Sequence, residues 1–387
     1  MLKRRVFFFF IILFPLFLAA QDSIRYHFSH GPYLQGTDAN STYIYFVTSN
    51  DGLSHIEIRK GNEENIRKFY SYIDGLKETG KMNKIKISGL EPNTVYQYRM
   101  VSKEIAQFAP YYIKYGDSIV SDWYKFKTFD PASKKTVFAV VNDIHDKADK
   151  YEKLLSYVPL EQADIVFMNG DMVNSFYKPD QLFTSFIDVS VKQFATEKPF
   201  ALVRGNHETR GPLARQIQDF ILKPNGTFYG LYMLGETAVL MLDCGEDKFD
   251  HHKEYHGATA FDQYREKQAI WLKDIVKTKD FRNAKRRIVV MHIPPFYNRK
   301  ELPDRPGSHS LNEVNRLFMP ILNNAKIDFM VCGHTHRHAF LDTKKGENDF
   351  PLLINDNNSI VWFESTEKDV KVKVINEKGE ETFNRVF

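Results

Sequence analysis

The stretch Phe200-Ala201-Leu202-Val203-Arg204-Gly205-Asn206-His207-Glu208 carries the reading of this chain. A short apolar run with polar flanks has the length and character of a buried strand. The Gly-Asn-His-Glu turn that follows it is crowded with groups that bind protons or cations. The same arrangement recurs on both sides. Upstream, Val137-Phe138-Ala139-Val140-Val141 runs into Asn142-Asp143-Ile144-His145, and Ile165-Val166-Phe167-Met168 into Asn169-Gly170-Asp171. Downstream, Ile288-Val289-Val290-Met291 ends at His292, and the run 327–332 ends at Gly333-His334-Thr335-His336.

A single His after a strand is usually a satisfied polar group. Five such ends in one chain are a different matter, because open α/β folds place their sites at strand ends. Gathered there, the imidazoles and carboxylates would crowd one another unless a cation neutralised and oriented them. Mixed imidazole and carboxylate donors suit Mn, Fe or Zn.

Helical patterns at 148–157, 179–194, 262–278 and 311–324 alternate with these strands and a further one at 238–242, which predicts an α/β unit. After His336 the pattern is strands only, at 339–342, 352–354, 359–363 and 370–375. Before Thr136 the texture differs. Short alternating runs at 42–48, 55–59, 84–87, 95–101 and 123–129, separated by turns such as Asn50-Asp51-Gly52 and Glu91-Pro92-Asn93, predict a β-sandwich without helices. Residues 105–120 read as an insertion between its last two strands. Residues 131–135 (Pro-Ala-Ser-Lys-Lys) read as a linker.

The ordered set Asp-x-His, Gly-Asp, Gly-Asn-His-Glu, His and Gly-His-x-His resembles the metallophosphoesterase, or calcineurin-like phosphoesterase, superfamily. The opening Gly31-Pro32-Tyr33-Leu34-Gln35 and the strand-only unit before the linker make the layout similar to the purple acid phosphatases. The stretch 90–98 resembles the fibronectin type III corner, in which a Tyr hydroxyl ties a strand to the preceding turn. The resemblance implies an N-terminal fibronectin III-like all-β sandwich over 27–130. It implies a metallophosphoesterase domain over 134–387, a two-sheet β-sandwich flanked by helices, whose second sheet the strand-only tail Ala339 to Val386 would complete. Carried over position by position, it also implies two divalent metal ions. Asp143, His145 and His336 would hold one, and Asn206, His292 and His334 the other, with Asp171 as the bridge. His207 would act as the acid, and a metal-bound hydroxide would attack phosphorus without a covalent intermediate. From the residues themselves, Arg204 and Arg210 flank the Gly205–Glu208 turn and a planar guanidinium there could bind substrate phosphate, with a surface ion pair to Glu208 or Asp219 as the alternative. Arg299, Lys300 and Arg305 after His292 read as a solvated loop that could line the pocket, and His251, His252 and His256, in a loop-like polar stretch, are not assigned to metal. The purple enzymes carry a metal-bound Tyr three residues after the bridging Asp. Here that position is Asn174, while His145 stands where those enzymes have no His.

Composition bounds the rest. The 387 residues are 43% hydrophobic and 26% charged, which excludes a disordered chain. Lys and Arg number 53 against 49 Asp and Glu, and three of the basic residues are Lys3, Arg4 and Arg5. Without a clustered basic face, nucleic acid is not an expected partner. Lys3–Arg5, the apolar run Val6–Ala20 and its small-residue end form a secretory signal peptide over 1–20, with cleavage near Ala20. The run falls short of the roughly 20 residues a permanent anchor needs, so a secreted or periplasmic protein is expected. Of the two cysteines, Cys244 and Cys332, a disulfide is possible, but buried free thiols at strand ends are the preferred reading. The function expected is hydrolysis of small phosphate esters, most of all monoesters. A phosphodiesterase or nucleotidase is the alternative, and an extracellular binding protein the more distant one.

Overall fold

The computed structural model describes residues 25–296 and 307–387. The signal-peptide reading lies outside those residues, as do the readings of Arg299, Lys300 and Arg305. Among the described residues no helix is long and apolar enough to cross a membrane.

The N-terminal unit comprises β1 (Phe28–Gln35), β2 (Thr42–Lys60), β3 (Arg67–Phe69), the small hairpin β4 (Tyr72–Ile73) and β5 (Leu76–Lys77), β6 (Thr79–Ile87), β7 (Val95–Ala109), β8 (Tyr112–Val120) and β9 (Tyr124–Lys127). The runs at 42–48 and 55–59 belong to one strand, and Asn50-Asp51-Gly52 is a bend within β2, not a turn between strands. The first half of β2 pairs with β1 and β6, the second half with β3 and β7. Side chains from both halves, among them Ile44, Phe46, Ile56, Ile58, Ile85, Tyr98 and Phe126, close on one core. The stretch 105–120 is no separate insertion: β7 and β8 run on through it as a long hairpin. At the 90–98 corner the Tyr96 hydroxyl accepts a hydrogen bond from Glu91 N–H at 2.9 Å.

The second unit holds two six-stranded sheets. One contains β10 (Lys135–Val141), β11 (Ile165–Asn169), β12 (Phe200–Val203) and three later strands. The other contains β13 (Gly230–Leu234), β14 (Thr237–Leu242), β15 (Arg286–Met291), β16 (Phe329–Cys332), β17 (Ala339–Leu341) and β18 (Leu352–Ile354). The tail therefore does not complete one sheet as expected. β17 and β18 join the second, but β19 (Ser359–Thr366), β20 (Val370–Asn376) and β21 (Glu381–Val386) extend the first, with β19 antiparallel to β10. Its two apolar faces explain this. Val361 and Phe363 enter the layer between the sheets, while Ile360 and Trp362 enter the outer core under the helices. The interlayer core also takes Phe138, Val140, Phe167, Met241, Val290 and Val331. Such double burial makes near-continuous apolar strands the stable solution.

Helices Ala148–Leu155, Phe261–Ile275 and His309–Leu322 cover the outer faces. The expected helix at 179–194 is a run of π and α turns over 183–195. Cys244 and Cys332 are buried free thiols.

The two units are fastened by the Gly31–Gln35 segment. The Tyr33 hydroxyl and the Gln35 amide both donate to Phe220 O at 3.0 Å, and Leu222 N–H returns a bond to Gln35 Oε1 at 2.8 Å. Tyr33 also stacks on Phe200 of β12.

Candidate metal centre

β10, β11 and β12 are parallel to one another, as are β14, β15 and β16. Their carboxyl ends bring the polar turns together from both sheets. The backbone there is contorted: Asp143, His145, Asp146, Asp171, His334 and His336 all have φ between 52° and 71°. Left-handed non-glycine residues cost about 1–3 kcal/mol each and persist where the surroundings over-determine them. Two glycines permit the close approach. A Cβ on Gly170 would lie 2.5 Å from His292 Nδ1, and one on Gly205 would lie 2.3 Å from Asp171 Oδ1.

Asp143 and Asp171 are buried carboxylates, each with one oxygen tied down and one turned inward. Asp143 Oδ2 accepts from Asn142 Nδ2 at 2.6 Å and from His334 N–H at 2.9 Å. Its Oδ1 has no hydrogen-bond partner and lies 3.2 Å from His336 Nε2 and 3.7 Å from His145 Nε2. Asp171 Oδ1 accepts from His207 N–H at 2.9 Å, leaving Oδ2 3.1 Å from His292 Nε2. His292 donates through Nδ1 to Asn169 O at 2.7 Å, so its tautomer leaves Nε2 a free lone pair, buried and with no properly aligned partner. Asn206 Oδ1 and His334 Nδ1 are 3.0 Å apart, and the Nε2 atoms of His145 and His336 face each other at the same distance. Three groupings emerge, Asp143/His145/His336, His145/Asp171/His207 and Asp171/His292/His334, with the ligand atoms of each within 4.8 Å of one another. Burial pushes the His292 imidazole down, but the Asp171 carboxylate outweighs it and raises the group to about 10. The proton that Asp171 draws to His292 and a cation would compete for the same Nε2 lone pair.

Every expected ligand is thus in the cluster. The expected acid, His207, also falls within ligand range of Asp171 and His145. Its Nδ1–H donates to Asn174 O at 2.7 Å, and its Nε2 accepts from Arg210 Nη1 at 3.1 Å. Arg210 does stand beside the site, but it is anchored by Glu246 at 2.7 and 3.0 Å and by Asp247 at 3.1 Å. Those partners are neither Glu208 nor Asp219, the residues a sequence-local ion pair would use. Arg204 is spent on Asp243, under the rings of Phe228, Phe261 and Tyr264. The His251, His252 and His256 cluster contributes to no grouping of metal-type ligands among the described residues.

Three contributions went unread in the sequence. Glu208, fully buried, accepts from Gly205 N–H and Asp171 N–H at 2.8 Å through one oxygen and from Met172 N–H at 2.7 Å through the other. It thereby clamps the turn that presents Asp171. Asn174 accepts from His145 Nδ1–H at 3.1 Å, which frees His145 Nε2 to face inward. Glu246 and Asp247 follow β14, a sixth strand end that could have been counted with the other five.

The calcineurin-like phosphoesterase family matches residues 136–338. Purple acid phosphatase 22 of Arabidopsis thaliana is 23% identical over 268 residues, covering 67% of this chain and 54% of that protein. Purple acid phosphatase 21 of the same plant is 24% identical over 301 residues, covering 73% and 59%. The chain therefore spans less than two thirds of the length of these curated relatives. A purple acid phosphatase isolated from yellow lupin (Lupinus luteus) seeds superposes with a TM-score of 0.64 at 13% identity, over 92% of this chain and 73% of that one; at that identity the likeness is one of fold. With the matched segment containing every strand end of the cluster, the chain belongs to the calcineurin-like phosphoesterase family.

Proposed function

We propose that this chain hydrolyses phosphate esters, monoesters in preference to diesters, at a dinuclear divalent metal centre. The observation that carries the reading is a pair of buried atoms aimed at one space without hydrogen-bond partners, Asp143 Oδ1 and His292 Nε2, with Asp171 Oδ2 available to both sides. Orphaned buried acceptors cost roughly 1–3 kcal/mol each and are rare without a purpose. They fit cations: Asp143, His145 and His336 on one side, Asn206, His292 and His334 on the other, Asp171 between. When bound, two such ions supply a water of lowered pKa and neutralise phosphoryl charge.

The chain's own groups do the remaining work. Asn142, Asn169 and Asn174 fix the orientation of Asp143, His292 and His145. Arg210, held rigid by Glu246 and Asp247, offers Nη1–H beside His207 Nε2. A phosphate oxygen arriving there takes that donor and frees the Nε2 lone pair to pick up a proton from solvent, which the resulting imidazolium then gives to the leaving oxygen. The purple acid phosphatases among the relatives support a monoesterase. The sandwich before the linker, with its Tyr96 corner, supports a fibronectin III-like domain, and the leader supports a secreted or periplasmic location.

The test is metal analysis of the purified protein together with hydrolysis of a panel of aryl and alkyl mono- and diesters. Two equivalents of divalent metal and faster monoester turnover are expected. Hydrolysis that survives complete metal removal would overturn the reading.

A further inference from the structure

Two hairpins of the N-terminal unit end in apolar side chains that the rest of the molecule leaves uncovered. On β4–β5, Tyr72, Ile73 and Leu76 are 58%, 57% and 74% exposed. On β7–β8, Phe108 is 63% exposed, Tyr112 57%, and Tyr111 at the turn wholly so. Isolated exposed apolar residues need no explanation, whereas a contiguous set marks a contact site.

The strand register puts both tips at one end of the unit. Gly52, at the bend of β2, pairs with Gly80 at the foot of the first hairpin and with Glu104 at the foot of the second. The described chain starts at the same end. Ser49 N–H donates to His27 O at 2.9 Å, and the Tyr26 hydroxyl lies 2.6 Å from Ser102 Oγ. The exit toward the catalytic unit is at the opposite end, where Lys127 pairs with Val95 at the start of β7. Chain entry and both apolar tips therefore face one way.

We propose that this end rests on a phospholipid bilayer, with the two tips seated in its interfacial layer. The side-chain chemistry fits. Tyr and Phe are the residues that favour the boundary between headgroups and acyl chains. Residues 105–116 contain one charged side chain, Lys114. Lys77 Nζ sits 3.7 Å from the ring centroid of Tyr70 and Lys103 Nζ 4.3 Å from that of Tyr115, which sets ammonium groups behind the tips, at the level of lipid phosphates. A second copy fits less well. Register shifts between Lys103 and Ile105 and between Ile105 and Gln107 break the β7–β8 ladder, and such bulges protect an edge against pairing.

The experiment uses the full chain carrying Tyr111→Trp or Leu76→Trp, with Tyr177→Trp on the catalytic unit as the control, since Tyr177 is 64% exposed. Vesicles of phosphatidylcholine with a minor share of phosphatidylglycerol, with and without brominated acyl chains, are added. Blue-shifted emission and quenching by the brominated lipid are expected at both tips and not at the control. The triple variant Leu76→Ser, Tyr111→Ser, Tyr112→Ser should lower the vesicle-bound fraction about tenfold or more, with melting and hydrolysis unchanged. Tip emission indifferent to vesicles would overturn the proposal. So would a triple variant that binds like the parent, because the tips would then contribute nothing to binding. A blue shift that tracks protein concentration without lipid would overturn it in favour of a second copy.

Discussion

Replacing Glu208 by Gln keeps the shape of the side chain and removes its charge from the centre of the site. Both carboxylate oxygens accept backbone N–H groups, Gly205 and Asp171 on one and Met172 on the other. Neither has room for a donor. In the Glu208→Gln variant the carbonyl can serve the first pair, but the amide NH2 then meets Met172 N–H donor to donor. Val173 N–H, which reaches the same oxygen at 3.4 Å, is stranded too. Three groups are left unsatisfied, Met172 N–H at the full cost of roughly 1–3 kcal/mol and the long Val173 bond at less, and the two retained bonds lose their charge assistance. An offset exists, because burial and the Asp171 charge push the Glu208 carboxyl up to about 7, a repulsion that the substitution relieves. Cations at Asp171 weaken that repulsion, so the offset is smallest in metal-loaded protein. The net expectation is a loss of about 3 kcal/mol with metal bound, or roughly 6–12 °C in the melting of a unit this size. The loss should be smaller after chelation. Calorimetry with and without chelator, beside elemental analysis, provides the readout. A metal-loaded Glu208→Gln variant that melts within about 2 °C of the parent with full metal content would refute the claim that Glu208 clamps the Asp171 turn.

Other consequences are equally direct. Asp171→Asn should lower both metal content and turnover, and by more than Arg210→Ala, because in the proposed centre one carboxylate would serve both ion positions; normal metal content with near-normal turnover would dismiss the bridging role. His207→Ala should keep its metal and lose roughly 10²–10⁴-fold in rate, chiefly on esters with poor leaving groups; equal losses across leaving groups of very different pKa would argue against proton donation. Iron-loaded, air-oxidised protein should be colourless, because Asn174 stands where the purple enzymes have their tyrosinate; a strong visible band abolished by a Tyr substitution such as Tyr177→Phe would show another phenolate at the metal. Gln35→Ala strands Leu222 N–H at the junction of the two units, so thermal melting should register a loss of about 1–3 kcal/mol without any change in metal content.

Much of this could be read from the chain itself. Apolar runs that stop at Asn142, Asn169, Arg204, His292 and Gly333 mark buried strands, because only a strand covered on both faces tolerates such uniform apolarity. The ligand types at their ends specify a cation site through local chemistry alone. What the sequence could not decide is pairing, since a strand's partner is set by contacts far along the chain. The tail after His336 is legible as strands. Yet only the packed structure divides it, sending β18 beside β16 with β17 at its outer edge, and β19 beside β10, where the two apolar faces of β19 reach two separate cores. The same holds around the metal positions. Asn174 lies 29 residues from His145, and Glu246 lies 36 from Arg210. Their roles exist only because both sheets bring their carboxyl ends to one place. Residue type determines which side chains can bind a cation. The tertiary fold decides which nitrogen of each imidazole faces inward, because the partner on the other nitrogen arrives from a distant turn.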